Sequence, residues 1–218
     1  MNRVPKCFIW GTRAIEIYAA RSDSGGIQTA AICESPRAGG KYWISDQAQY
    51  FFSHPDQFNW IDKALKTRLT TWLMKQRAAR VDCPKIHGRD IGNFQNKPGL
   101  LIEQRAKNLL AFADHLLTDE ADSFVIGTTE PENPQGWEME MLAWCESTSR
   151  EQVHNLLDHL GDLRYLERLE GPSPANLYRC KYRIMAEGHR YLERRRQQSN
   201  PAVFFTGVDV LPDALDQG

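Results

Sequence analysis

Two short segments, Cys7-Phe8-Ile9-Trp10-Gly11 and Ser35-Pro36-Arg37-Ala38-Gly39-Gly40, constrain this chain more than any other feature. Each has the length and trailing glycine of a zinc knuckle, the turn in which two thiolates three positions apart grip a metal ion and glycine lets backbone amides approach the sulfurs. Only Cys7 supplies a sulfur, because Trp10, Ser35 and Ala38 stand at the other three positions. A four-sulfur site is therefore excluded. The expectation is a ribbon-like scaffold held by apolar packing and hydrogen bonds, with no metal ion and no cofactor.

The residues around these segments read as short strands. Ile15 to Tyr18, Ile27 to Ile32 and Lys41 to Ile44 are separated by the glycine-bearing turns 22–26 and 38–40, the pattern of antiparallel hairpins. They predict a three-stranded β-meander carrying the two metal-free knuckles on its loops. Ser45-Asp46 opens a helical stretch, and a longer helix follows Asn59, where Trp60, Ile61, Ala64, Leu65, Arg68, Leu69, Trp72, Leu73 and Gln76 recur at helical spacing. Cys83-Pro84 excludes helical geometry before the proline. Gly88, Gly92, Pro98 and Gly99 mark 83–99 as a linker, so the first domain is expected over 1–82.

Beyond the linker the periodicity predicts a helix over 101–117, a short one over 137–145 and another from Arg150, with Ser147-Thr148-Ser149 offering N-caps. Strand-like runs at 163–169 and 177–184 precede a final helix entered through Ala186, Gly188 and Leu192. Helix, short helix, helix, hairpin, helix is the order of a winged helix-turn-helix, expected over 100–198. The fold class is thus α+β: a small β-meander with helices, then a winged helix. The apolar run Ala202 to Asp209 reads as the first strand of a truncated α/β domain, or, lacking strand neighbours, as a disordered tail over 199–218.

Candidate chemistry is sparse. The sequence has no Gly-x-x-x-x-Gly-Lys-Ser/Thr, His-Glu-x-x-His or Gly-x-Ser-x-Gly pattern. His154 and His159 are five apart on one helix and diverge too far to share a metal. The five cysteines are odd in number and never form Cys-x-x-Cys, which points to reduced thiols in cytoplasm. No run reaches the roughly 18 apolar residues of a membrane span. A net charge of -1 argues against bulk attraction to nucleic acid or anionic lipid. Nine basic residues against four glutamates between Arg164 and Arg196 nevertheless give a local balance of +5. In it Arg164, Arg168, Arg179, Lys181 and Arg183 are the candidate contacts for nucleic acid or phosphate. Their alternative role is pairing with the neighbouring glutamates. The rings near the N-terminus, from Trp10 to Trp60, suit either a protein interface or a core packed where a metal once was.

Cys-x-x-Trp-Gly-Thr, Ser35 to Tyr42, Arg68-Leu69-Thr70-Thr71-Trp72-Leu73 and the wing followed by Ala202 to Asp209 together resemble the N-terminal half of a group of bacterial multidomain proteins. In that group a degenerate zinc-ribbon region and a winged helix precede an α/β domain similar to nucleoside 2-deoxyribosyltransferases and to the TIR fold. The resemblance implies a non-catalytic regulatory, ligand-sensing or assembly region of an antiphage-defence protein, with an N-glycosidase-type domain cleaving nucleotides or NAD after Gly218. It also implies a protein partner or a homo-oligomer, and no catalytic residue within 1–218. The alternative is a stand-alone winged-helix DNA-binding transcriptional regulator.

Overall fold

A computed structural model describes residues 4–21, 29–117, 123–126, 136–171 and 180–198. Among these residues the architecture is mixed α+β, with seven α-helices and two small sheets. The run Ala202 to Asp209, and Arg179 with it, lies outside the described residues.

Strands β1 (Glu16–Arg21), β2 (Thr29–Ser35) and β3 (Gly40–Ile44) form an antiparallel meander. The register sets Cys33 opposite Ile17 on one side and Tyr42 on the other. Alternation along β2 points Ala31, Cys33 and Ser35 into the core. Helix α1 (Asp46–Ser53) starts where Ser45 Oγ accepts the Ala48 amide. Helix α2 (Lys63–Ala78) starts three residues later than its apolar pattern suggests, because Asp62 is the cap: its Oδ1 accepts the Leu65 amide at 2.7 Å. Trp60 and Ile61 thus precede the helix, while Leu65, Leu69 and Leu73 form its buried stripe.

Most of the stretch expected as a linker, 83–99, namely residues 84–94, instead packs into this first unit. Strand β4 (Lys85–Ile86) runs parallel to β3 and makes the sheet four-stranded, β1-β2-β3-β4. The Trp43 amide donates to Pro84 O at 2.9 Å, and the Ser45 amide to Ile86 O at 3.0 Å. The single turn α3 (Gly88–Ile91) follows, and Ile86, Ile91 and Phe94 are buried in the first core with Tyr42, Ile44 and Leu69. Gly88 and Gly92, which resemble a linker, are spacing between three apolar anchors. Burial of those anchors, at about 25 cal/mol per Å² of apolar surface, favours holding the stretch against the first core.

The second core lies under α4 (Ile102–Leu116), β5 (Phe124–Ile126), α5 (Gly136–Trp144), α6 (Arg150–Asp162), β6 (Leu166–Glu170), β7 (Cys180–Ile184) and α7 (Ala186–Gln198). Ser149 Oγ caps α6 by accepting the Gln152 amide. Strand β7 is central, in the antiparallel order β5-β7-β6. Leu109, Leu110, Met141, Leu156 and Leu160 are fully buried between helices and sheet. Helix α7 crosses the hairpin through Gly188, where no side chain would fit against the Tyr165 carbonyl.

Candidate functional site

Both knuckle-like segments fold as tight turns. In the first, the Cys7 amide donates to Thr12 O at 2.7 Å and the Gly11 amide closes on Cys7 O at 2.8 Å. Gly11 has φ +68°, the left-handed region that glycine enters without penalty. In the second, a 3-10 turn over Pro36–Ala38 ends at Gly39, φ +74°, whose amide returns to Pro36 O. Arg77 donates to Gly39 O from above, and a Cβ on Gly39 would lie 2.5 Å from Met74 Cγ.

Three of the four knuckle positions are sealed in the core: Cys7, Ser35 and Ala38 are buried, and Trp10 is half-buried. Around the Cys7 sulfur stand Cys33, Ser35 and Tyr42, with Cys7 Sγ 3.4 Å from Tyr42 Oη. Burial alone pushes the Cys7 thiol up, but the donors gathered around it, Cys33 foremost and Tyr42 among them, outweigh it and pull it to about 6. Cys33, whose proton serves Cys7, is pushed well above the ordinary thiol range, as burial pushes the Tyr42 phenol. The sequence pattern ends this strand at Ile32 and so misses Cys33; β2 runs on to Ser35 and places both residues on its core face. Among the described residues no group of three or more His, Cys, Asp and Glu side chains is arranged to hold a metal ion.

The second turn reaches beyond its own unit. Arg37, only 2% exposed, lays its guanidinium 3.7 Å above the Trp10 ring and donates from Nη2 to Ser147 O at 2.6 Å, at the corner between α5 and α6. Burial lowers its pKa to about 10, opposed by the nearby Cys145 and Cys7 sulfurs. Trp10 is itself held by Thr70, with Nε1 donating at 2.9 Å. The same corner is tied from the other side. Glu146, at φ +50°, accepts from Thr71 Oγ1 of α2 and from the Leu100 amide. Arg105 donates to Cys145 O, Ser147 Oγ and Gln152 Oε1. Two guanidiniums and one carboxylate thus fasten both units to the 145–147 corner. Neither Arg37 nor Cys145 has a spacing or motif that announces this role.

The described basic candidates lie elsewhere, on strands β6 and β7 and just after α6. Arg168 pairs with Asp158 at 2.5 Å, Arg183 with Glu167 at 2.5 Å and Lys181 with Glu170 at 3.7 Å. Arg164 is exposed at φ +58°, just after α6. Farther along, Arg190 pairs with Glu187 and Arg196 with Asp114. Three of the five candidates are therefore already compensated by carboxylates of the same surface. No helix among the described residues is long and apolar enough to cross a membrane.

No family model matches the chain, and no curated protein or solved structure is significantly similar to it.

Proposed function

We propose that these residues form a non-catalytic regulatory region, in which a metal-free ribbon-like unit is fastened to a winged helix and the pair senses a ligand or assembles with a protein partner or a second copy. The observation that carries this reading is Arg37. A charge is costly to bury, and here one is buried at the joint between two units, donating to Ser147 O. A joint of that kind suits a body that passes a change at one unit to the other.

The winged-helix part of the reading is supported by the order α4-β5-α5-α6-β6-β7-α7, by a sheet with β7 in the centre and by Gly188 at the entry to the last helix. The ribbon part is supported by two glycine-closed turns that bring Cys7 and Ser35 together. The resemblance to multidomain antiphage proteins supplies the wider setting: a regulatory half acting on an α/β domain that cleaves nucleotides or NAD. The DNA-binding alternative is weakened by the pairs Arg168–Asp158, Arg183–Glu167 and Lys181–Glu170, since a cation already paired gains less from a phosphate.

Charge reversal separates the two. Wild type and the double variant Lys181→Glu, Arg183→Glu are titrated with a duplex at several salt concentrations and followed by sedimentation. The regulatory reading expects no steep salt slope in either protein, and self-association as the property that changes. Tight, strongly salt-dependent duplex binding that the double variant loses would overturn it.

A further inference from the structure

An open cleft of about 610 Å³ lies where the two units meet, between α2, the 99–100 loop, the start of α4 and the 146–152 corner. Its charged lining is Lys63, Arg68 and Arg105 against Asp62 and Glu146. The two carboxylates are already engaged. Asp62 Oδ1 holds the Leu65 amide, and Glu146 holds Thr71 Oγ1 through one oxygen and the Leu100 amide through the other.

The two guanidiniums are differently placed. Arg68 uses only Nη1, on Phe94 O and Gln95 O. Arg105 uses Nε and Nη2, on Cys145 O, Ser147 Oγ and Gln152 Oε1. All five acceptors are neutral, and among the described residues neither arginine meets a carboxylate. Each keeps charge and spare N–H donors, already oriented by its backbone and side-chain anchors. Such forked donors match phosphate oxygens.

The geometry points to a binding site for a small phosphorylated molecule in this cleft, with Arg68 and Arg105 as the anion clamp and Lys63 at the rim. The volume falls in the range of small-ligand sites, and the lining contains no aromatic ring for a base to stack on. The phosphate group is therefore the recognised element. The ligand would bridge α2 of the first unit and α4 of the second, so occupancy would tighten the joint. This inference rests on the sensing reading and names the class of molecule sensed.

The test is calorimetric titration of inorganic pyrophosphate into the full chain in phosphate-free buffer. Saturable one-site binding is expected, weakened about tenfold by Arg68→Gln through loss of charge-assisted hydrogen bonds and weakened also by Lys63→Glu. Lys63 is exposed, so its variant reports on charge without disturbing the core, and circular dichroism confirms that both variants fold. No binding by the folded wild type, or unchanged affinity in both variants, would overturn the site. Either result leaves the duplex and sedimentation outcomes untouched, so the two readings fail separately.

Discussion

Replacing Gly188 with alanine sets two effects of known size against each other. In an isolated helix the change is favourable by about 1 kcal/mol. In this protein the added methyl would sit 2.5 Å from Tyr165 O and 2.8 Å from Ile184 Cγ2. The first neighbour is backbone and cannot rotate away. It also accepts the Met185 amide at 2.9 Å, the bond that starts α7 against the hairpin. Forcing a methyl into a packed contact costs about 1–3 kcal/mol, and stretching that hydrogen bond adds about 1 kcal/mol. The net expectation for Gly188→Ala is a loss of about 1–3 kcal/mol, a fall of about 2–12 °C in Tm for a chain of this length. Thermal unfolding followed by circular dichroism measures it, with Gly92→Ala as the comparison, since nothing lies within 4 Å of a Cβ there. A Gly188→Ala protein that melts at or above wild type, while Gly92→Ala is neutral, would refute the packing argument.

Arg37→Ala removes both the Trp10 stacking and the Ser147 hydrogen bond, and should cost about 2 kcal/mol in urea unfolding after relief of the buried charge is counted. Arg37→Lys should not restore it, because one ammonium on a flexible stem cannot both cover the ring and reach the carbonyl. The Cys7 thiol, depressed to about 6 in the fold from about 8.5 in the unfolded chain, gives stability present above the unfolded value and lost as pH falls through the folded one. Urea midpoints should therefore decline from pH 8.5 to 6, and Cys7→Ser should flatten that slope; an equal slope in the variant would show that other groups set it.

The sequence patterns reach the elements well where one periodicity rules a long stretch. Leu109, Leu110 and Leu116 announce α4, and Val153, Leu156, Leu157 and Leu160 announce α6. They fail where a single contact decides. The start of α2 depends on Asp62 accepting one amide, and the role of 83–99 depends on Ile86 pairing across a gap of some forty residues with Ile44. The strand read as ending at Ile32 continues to Ser35, and nothing local tells that Cys33 meets the Cys7 sulfur. Arg37 and Arg105 look like ordinary surface cations in sequence. Their positions follow only from how the 145–147 corner docks, a contact between residues 110 and 40 positions apart.

The parallel pairing of β4 with β3 also fixes an order of events during synthesis. After the meander has emerged, β3 presents an open edge carrying Trp43 and Ile44 until Lys85 and Ile86 arrive, and the core beneath stays incomplete until Phe94 has followed. Nascent chains shorter than that would expose the unpaired edge, the kind of surface on which chains associate wrongly. A protease cutting between Ile86 and Phe94 would accordingly not release two intact halves but would strip the first of part of its interior. The place to divide the molecule lies after Phe94, not at the glycines before it.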